Sequence, residues 1–336
     1  MRCYNAAIIV SLFIFTAFIT LLLCTIVNYV TISSHYLPVE EQKFVALKPN
    51  HERLGNQLFQ LASGFGIAKK LGRALYYPLN EAKTLRCYLK LLSTTFPRIS
   101  SIYRILPKNS IKQTEVEFAF DEHGRRTCCR YDDPSRLIGH PAKYLLLQMS
   151  FAQNARYFEE YLPELRSLFR FSLKSHEQGN HNLRRLNVGN ATDFMCAHIR
   201  RTDFLDFGIG SDLNSTLLAT KDIASRKGLS KFLIFGDDKD FMRSLATQLV
   251  SSPSDRTKRI QTVRISEFSE IADLYISYRL CSAFLMSAAS STFGWWLAFF
   301  SQDQDSVYYY KDKRPTDDYK LLKDEFQLKS WHRYDG

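Results

Sequence analysis

The second half of the chain repeats one pattern, in which a short apolar run is followed by a longer segment with apolar residues at helical spacing. Short runs of this kind are typical of buried strands, and the longer segments are typical of amphipathic helices. The predicted strands are Phe194–Ile199, Phe232–Phe235, Ala283–Met286 and Val307–Tyr310, and the predicted helices are Leu213–Arg226, Phe241–Val250, Ile271–Tyr278 and Phe293–Phe300. Such alternation predicts a parallel, doubly wound sheet covered by helices.

The first half opens with a related unit. A strand is predicted over Lys43–Leu47 and another over Ala74–Tyr77, with a helix between them that starts near Leu58. Gly55 and Asn56 are expected in the loop that precedes this helix. The pattern therefore predicts a βαβ opening whose first loop carries polar residues at a helix N-terminus.

The middle of the chain is less regular, and no element is predicted for residues 83–143. A strand is expected at Tyr144–Leu147, and a helix is expected at Phe158–Phe169 with a break at Pro163. The polar run Lys174–Asn182 is predicted to be the linker between the two halves.

The N-terminal segment Ala6–Val30 contains no charged residue. At ~1.5 Å per residue a helix of this length exceeds the ~30 Å hydrocarbon core of a bilayer, which predicts a membrane-spanning helix. Arg2 precedes the segment and the next charges are acidic, which favours a cytosolic N-terminus. Glycosylation sequons at Asn190 and Asn214 agree with a remainder on the opposite side of the membrane. The predicted organisation is a tail at 1–5, a signal-anchor at 6–30, a stem at 31–42, and α/β domains at 43–180 and 181–336.

A chain of 336 residues with 45% hydrophobic positions can bury two cores of ordinary size. The formal net charge of +11 favours an acidic partner. Nucleic acid is not expected, because the basic residues are scattered and no zinc-finger spacing occurs. A nucleotide, a phosphate ester or an anionic membrane surface would each suit this charge.

The cysteine spacing does not form a metal-binding pattern, so no metal site is predicted. Cys196 and Cys281 lie inside apolar strand-like runs and are expected to be core thiols. A disulfide between Cys87 and either Cys128 or Cys129 is expected in an oxidising compartment.

Charged or hydroxyl-bearing loops follow three predicted strands, at His198–Asp203, Gly236–Asp238 and Ser287–Thr292. In one parallel sheet these loops meet at the same carboxyl edge. The guanidinium groups of Arg200 and Arg201 suit bidentate contact with phosphate oxygens. Hydroxyl groups at the start of a helix, as in the third loop, form an anion site. Together these features predict a site for a nucleotide diphosphate.

The same residues have structural alternatives. A salt bridge between either arginine and Asp203 would need no ligand. Asp237 and Asp238 either bind ribose hydroxyls or a base edge, or cap the next helix. The hydroxyl residues of the third loop either bind an anion or cap their helix. They are Ser290, Ser291 and Thr292. The adjacent pair Trp295 and Trp296 is expected in the core.

Four ordered segments resemble the motifs of the galactoside α1,2-fucosyltransferases, which form glycosyltransferase family 11. Arg53–Ala62 resembles G-R-L-G-N-Q-[ML]-F-Q-x-A, and His198–Asp203 resembles H-x-R-R-x-D. Phe235–Asp238 is similar to [FS]-[SG]-D-D, and Ser290–Trp296 is similar to S-x-[ST]-F-x-W-W. The resemblance extends roughly from Phe44 to Trp296, and four motifs in order are far more specific than one.

The resemblance implies a GT-B-like fold of two facing Rossmann-like domains, with the acceptor bound by the first and GDP-fucose by the second. It implies an inverting transfer of L-fucose to a galactose-type hydroxyl of a glycoprotein or glycolipid glycan, without a metal or cofactor. The implied setting is the Golgi membrane, with a single-pass type II chain and a lumenal catalytic part. One of Arg200 and Arg201 is expected to stabilise the charge on the departing β-phosphate. Asn56 is expected at the reaction centre, and Asp203 and His198 are candidates for the general base.

Glu52 and Thr202 stand where the family usually has glycine, which indicates a changed acceptor. One competing hypothesis is a metal-dependent glycosyltransferase that uses an Asp-x-Asp pair, at Asp238–Asp240 or Asp303–Asp305. The other is a catalytically silent, membrane-anchored, lectin-like protein that keeps the fold.

Overall fold

A computed structural model describes residues 42–335 except 51, 79–82, 107–110, 121–122, 124–127, 190, 252–259 and 311–324. The predicted tail and signal-anchor lie outside the described residues, as do the predicted stem apart from its last residue and the sequon at Asn190. Within the described ranges no helix is both long enough and apolar enough to cross a bilayer.

Residues 43–336 form one compact unit that contains two sheets, and every strand pairing is parallel. The strands of the first sheet are β1 (Phe44–Leu47), β2 (Ala74–Pro78), β3 (Tyr103–Leu106), β4 (Thr114–Glu117) and β5 (Tyr144–Gln148). Over the described chain they pair in the order β3-β2-β1-β5-β4. Helix α1 (Leu54–Lys70) joins β1 to β2, and helix α2 (Lys83–Thr95) follows β2. The region 83–143, for which no element was predicted, therefore holds a helix and two strands.

The strands of the second sheet are β6 (Phe194–Ile199), β7 (Lys231–Gly236), β8 (Thr262–Ile265), β9 (Cys281–Met286), β10 (Val307–Tyr310) and β11 (His332–Tyr334). They pair in the order β11-β10-β9-β6-β7-β8 within the described residues. The helices of this half are α5 (Leu213–Lys227), α6 (Lys239–Ser251), α7 (Glu270–Leu280) and α8 (Thr292–Phe300). The predicted parallel, doubly wound sheet is confirmed, while β8 and β11 were not predicted.

Helices α3 (Leu162–Leu168) and α4 (Leu173–Leu186) lie between the two sheets in the chain. Pro163 occupies the first turn of α3, where its missing N–H costs nothing, so it marks the start of a helix. The linker predicted at Lys174–Asn182 is wrong, because this run belongs to α4. Ser172 caps α4 by accepting a hydrogen bond from the Ser175 N–H, which explains why a polar run is helical here. The domain boundary at 180/181 falls inside α4 and stays a prediction.

Strand β6 lies at the centre of the second sheet, and all of its residues are buried. It pairs with β7 on one side and β9 on the other. This neighbour relation brings Cys196 of β6 against Cys281 of β9, and the two form a disulfide with a Cα–Cα distance of 5.5 Å. The expectation of two core thiols is therefore wrong. Cys87 is free and exposed, and Cys128 and Cys129 are bonded to each other, so the other expected disulfide is wrong too.

The two halves share an aromatic core at the contact between α1 and α8. Phe59 of α1 packs on Trp295 and Trp296 of α8, with ring centroids 4.8 and 5.4 Å apart. Phe158 contacts both tryptophans, and Phe326 stacks on Phe59 at 5.4 Å. Both tryptophans are fully buried, which confirms that they are core residues.

Candidate active site

A cavity of about 870 Å³ opens at the carboxyl edge of the second sheet and is also lined by residues of the first half. The carboxyl ends of parallel strands meet at one edge, so loops far apart in the chain converge there. The predicted site residues that line the cavity are Asn56, His198, Arg200, Asp203, Asp237, Ser290, Ser291 and Thr292. The convergence of the three loops is therefore confirmed.

Arg200 is the arginine that faces the cavity. It follows the last residue of β6, and its guanidinium group contacts Asp203 at 2.6 Å and Asp237 at 2.8 Å. The ring centroid of Phe204 lies 5.3 Å from the guanidinium carbon of Arg200. The Arg200 side chain is only 11% exposed, and the two carboxylates define the orientation of its guanidinium group. The guanidinium is thus preorganised, with donors left for an anion in the cavity.

Arg201 points away from the cavity, as neighbours on an extended chain do. Its Nε donates to Asp238 at 3.0 Å, and one terminal nitrogen donates to the backbone oxygen of Ser211 at 2.6 Å. Asp238 also accepts the N–H of Phe241 at the start of α6. This backbone hydrogen bond, with help from Arg201, lowers the pKa of Asp238. Asp238 therefore caps the next helix, as one alternative proposed, and its pair with Arg201 supports the loops around the site.

Asp237 lines the cavity, but its oxygens already have protein partners. One accepts the backbone N–H of Arg201 at 2.9 Å, and the other accepts the Thr202 hydroxyl at 2.6 Å and contacts Arg200. The carboxylate therefore organises the arginine loop. Thr202, which replaces the usual glycine, adds one of these bonds. A donor-binding role for Asp237 and Asp238 stays a prediction.

The N-termini of α1 and α8 meet at the base of the cavity. A Cβ on Gly55 would lie 2.8 Å from the backbone nitrogen of Phe293, so only glycine permits this approach. The Trp296 indole N–H donates to the Gly55 oxygen at 3.0 Å and fixes the contact. Ser291 is the N-cap of α8 and accepts the Gly294 N–H, as the capping alternative proposed. Two helix N-termini at one place create a positive potential that favours an anion.

Asn56 lines the cavity from the first turn of α1 and not from a loop. The predicted helix start near Leu58 is therefore too late, because the helix already begins at Leu54. The Asn56 side-chain oxygen accepts a hydrogen bond from Gln153 at 2.8 Å. Gln153 is buried, lines the cavity and was not predicted. It fixes the orientation of the Asn56 amide towards the cavity.

The two candidate bases differ in their electrostatics. His198 is 2% exposed, and burial lowers its pKa to about 3, with a smaller opposing effect from Asp237. The imidazole is thus neutral at pH 7, and its Nδ1 has no hydrogen-bond partner in the protein. Burial would raise the pKa of Asp203, but Arg200 and Arg53 outweigh it and lower that pKa. Both groups are weak proton acceptors at neutral pH, and their role as general base stays a prediction.

A fourth loop reaches the cavity after β8 and was not predicted. It contributes Phe268 and the acidic residues Glu270 and Asp273 of α7. Asp273 is 8% exposed, and burial raises its pKa to about 7, although Ser266 donates a hydrogen bond to it. Recognising the short strand β8 would have placed this loop at the same edge.

The Asp-x-Asp pairs have other partners. Asp240 is exposed and pairs with Arg243 at 2.8 Å, while Asp238 faces Arg201. Asp303 accepts the N–H of Asp305 in a turn before β10. Among the described residues no group of three or more His, Cys, Asp or Glu side chains is placed to hold a metal ion.

Comparison with known proteins gives a family match. The family model described as "Glycosyl transferase family 11" matches residues 139–334. A galactoside 2-alpha-L-fucosyltransferase of Caenorhabditis elegans is 28% identical over 288 residues, which cover 83% of this chain and 76% of that protein. A second protein of the same name and organism is 26% identical over 312 residues, covering 82% and 75%.

Solved structures show the same fold. A mutant of Arabidopsis thaliana FUT1 in complex with GDP superposes with a TM-score of 0.52 and 14% identity, covering 86% of this chain and 74% of that one. POFUT1 in complex with GDP-fucose gives a TM-score of 0.51 and 12% identity, covering 81% and 98%.

Proposed function

The chain belongs to glycosyl transferase family 11, and on this premise we propose that it transfers L-fucose from GDP-fucose to a galactose-type hydroxyl in an α1,2 linkage. The observation that carries this proposal is the position of Arg200. It is the member of the arginine pair that faces the cavity, and two carboxylates hold its fork in place.

The donor pyrophosphate is proposed to lie between Arg200 and the N-terminus of α8. Departure of GDP leaves negative charge on the β-phosphate, and a preorganised guanidinium stabilises that charge as it develops. The nearby helix N-termini add to this stabilisation. Transfer without a metal is supported by the Arg200 guanidinium and the helix N-termini, and by the arginines that pair with the carboxylates of Asp238 and Asp240. Inversion at the sugar carbon is proposed from family membership.

Guanine is proposed to be read by Asp273. Guanine presents its N1–H and 2-amino group side by side, and a carboxylate accepts such a pair of donors. Asp273 offers a buried carboxylate in the cavity. Uracil lacks this pair of donors, so the site favours a guanine nucleotide.

The acceptor is proposed to enter from the first half, past Glu52 and Asn56. Both line the cavity, and the Asn56 amide is held by Gln153. The acceptor would be a glycan of a glycoprotein or glycolipid. Glu52, which replaces the usual glycine, projects an added carboxylate at this entrance and is expected to modify acceptor choice.

The decisive assay offers GDP-fucose, GDP-mannose and UDP-galactose to the purified protein in EDTA, with a panel of galactosides and other sugars as acceptors. We expect transfer only from GDP-fucose, with the new bond at the 2-hydroxyl of galactose. A strict need for manganese would support the metal-dependent alternative. Donor and acceptor binding without any transfer would support the silent, lectin-like alternative.

Replacing Asp273 with asparagine is expected to stabilise the fold at pH 8 and to weaken the binding of GDP-fucose. The pKa of Asp273 in the folded protein, about 7, lies above the ordinary value for aspartate. The contribution of Asp273 to the free energy of unfolding therefore falls as the pH rises from about 4 to 7, and it stays low at higher pH. Asparagine removes this cost, and thermal unfolding should therefore occur at a higher temperature than in the native chain at pH 8, with the difference fading near pH 4. The KM for GDP-fucose should rise about tenfold or more at pH 8.

Asp240→Asn is the matched control, because the Asp240 side chain is exposed and pairs with Arg243 on the surface. It should leave both the pH dependence and the KM unchanged. In the native protein the KM for GDP-fucose should rise as pH falls below 7, since guanine binding favours the ionised carboxylate. A flat KM between pH 5 and 8 would contradict the assignment of Asp273.

Localisation is proposed as the Golgi membrane, with a single-pass type II topology and residues 31–336 in the lumen. Support comes from the uncharged segment Ala6–Val30 and from the sequons at Asn190 and Asn214. Asn214 is exposed in the first turn of α5. An N-glycanase should increase the gel mobility of the expressed protein, and protease should spare it in sealed vesicles. An unchanged mobility with complete digestion would overturn this topology.

A further inference from the structure

Phe207 is an apolar ring that the protein leaves largely uncovered. It is 71% exposed, although large aromatic side chains are ordinarily buried. The ring also lines the cavity of the candidate active site. An exposed aromatic ring inside a binding cavity gains its contacts when a ligand is bound.

The segment that carries Phe207 has a defined backbone. At its base the backbone N–H of Ser211 donates to the backbone oxygen of Arg200 at 3.0 Å. The backbone N–H of the buried residue Ile209 donates to the backbone oxygen of Phe204 at 3.1 Å. At its tip Gly208 has a φ of +66° and donates to the oxygen of Leu205 at 3.0 Å. Glycine readily adopts this left-handed conformation, so the turn fixes the backbone position from which the Phe207 side chain projects.

The segment also reaches towards the acceptor side. Asp203, at its start, contacts Arg53 of the first half at 3.3 Å. Asn56 lies in the first turn of α1, and Arg53 immediately precedes this helix. Both line the cavity at the proposed acceptor entrance. The groups proposed to hold GDP are Arg200, Asp273 and the start of α8, which belong to the second half. Phe207 thus lies on a segment that starts beside Arg200, in the proposed donor site, and contacts the proposed acceptor entrance through Asp203.

We propose that Phe207 is the platform on which the acceptor galactose stacks while its 2-hydroxyl faces the donor sugar. The axial 4-hydroxyl of galactose leaves the hydrogens on C3, C4 and C5 together on one face of the ring. That face is apolar, and its C–H groups pack against the negative face of an aromatic ring. Glucose, with an equatorial 4-hydroxyl, has no such continuous patch. Phe207 therefore selects galactose over glucose at the acceptor site, an inference that rests on the proposed function.

The test compares Phe207→Ala, which removes the ring, with Phe207→Tyr, which keeps it. Leu218→Ala is the matched control, because Leu218 is 67% exposed on α5 and does not line the cavity. We expect Phe207→Ala to raise the KM for a galactoside about tenfold and to reduce the preference for galactosides over glucosides. The KM for GDP-fucose and the slow hydrolysis of GDP-fucose in water should stay the same. Phe207→Tyr and Leu218→Ala should each remain within about twofold of the native protein.

A binding readout keeps the platform testable apart from catalysis. In the presence of GDP, saturation-transfer NMR should show contact between the protein and the H3, H4 and H5 protons of methyl galactoside. Phe207→Ala should abolish this contact while thermal unfolding stays unchanged. If the native protein shows the contact but transfers no fucose, the platform stands and the proposed function fails.

Two results would overturn the platform. One is a Phe207→Ala variant with native KM for galactosides and a native saturation-transfer pattern. The other is a change in the KM for GDP-fucose or in GDP affinity with no change for the acceptor, since Phe207 would then stack on the donor.

Discussion

Replacing Arg200 with lysine is expected to lower the turnover of fucose transfer by about 10²-fold or more. Lysine keeps the positive charge but loses the planar fork that Asp203 and Asp237 hold in place. Removing one preorganised donor from a charge that develops in the transition state has an effect of this size. Turnover should be measured at saturating GDP-fucose, with thermal unfolding as the check that the variant is folded.

Arg201→Lys is the control, because Arg201 faces Asp238 and the backbone of Ser211 and does not line the cavity. It should lower the unfolding temperature, since Arg201 ties the loop after β6 to Asp238 in the loop after β7. Its turnover should fall by less than tenfold. Equal turnover in the two variants would contradict the assignment of the phosphate contact to Arg200.

Replacing Gly55 with alanine is expected to impair both stability and turnover. The added Cβ would lie 2.8 Å from the Phe293 nitrogen and 2.9 Å from the carbonyl carbon of Thr292, and backbone atoms cannot move aside cheaply. Overpacking of this kind lowers the free energy of unfolding by about 1–3 kcal/mol. The shift also separates the two helix N-termini beneath the cavity, and displacements of ~1 Å at a reacting centre cost about 10²-fold in rate.

Gly64→Ala in the same helix is the matched comparison. The three atoms nearest to its Cβ would be side-chain methyl carbons of Leu75 and Leu47, the first of them 2.9 Å away. A flexible leucine can adjust, so we expect a smaller loss in the free energy of unfolding, and we expect turnover to stay native. Chemical denaturation measures the first quantity, and the transfer assay measures the second. Comparable loss of turnover in both variants would show that the helix contact has no special role.

The sequence predicted the centre of the second half well because its local signals agree with the fold. Strand β6 is a continuous apolar run, which is what a strand covered on both faces requires. The loops after β6, β7 and β9 then had to converge, because parallel strands fix where their carboxyl ends lie. Which arginine enters the cavity could not be read from the sequence, since neighbouring side chains point in opposite directions and the start of the alternation was unknown.

The features that were missed depend on contacts distant in sequence. Strand β8 has only four residues, and none is fully buried, so its apolar signal is weak. Without β8 the loop that brings Asp273 to the cavity could not be placed. The Cys196–Cys281 disulfide depends on β6 and β9 being neighbours, although 85 residues separate the cysteines. Strand order is a tertiary property, and local periodicity does not encode it.

The position of Phe326 bears on the order in which the chain is made. Its ring stacks on Phe59 of α1, and its backbone oxygen accepts the Trp295 indole N–H at 2.9 Å. Domains generally fold as they leave the ribosome, N-terminal parts first. Here the first sheet is synthesised early, yet Phe59 obtains its last aromatic partner only when residue 326 has been made. The aromatic core around Phe59 is therefore complete only near the end of translation.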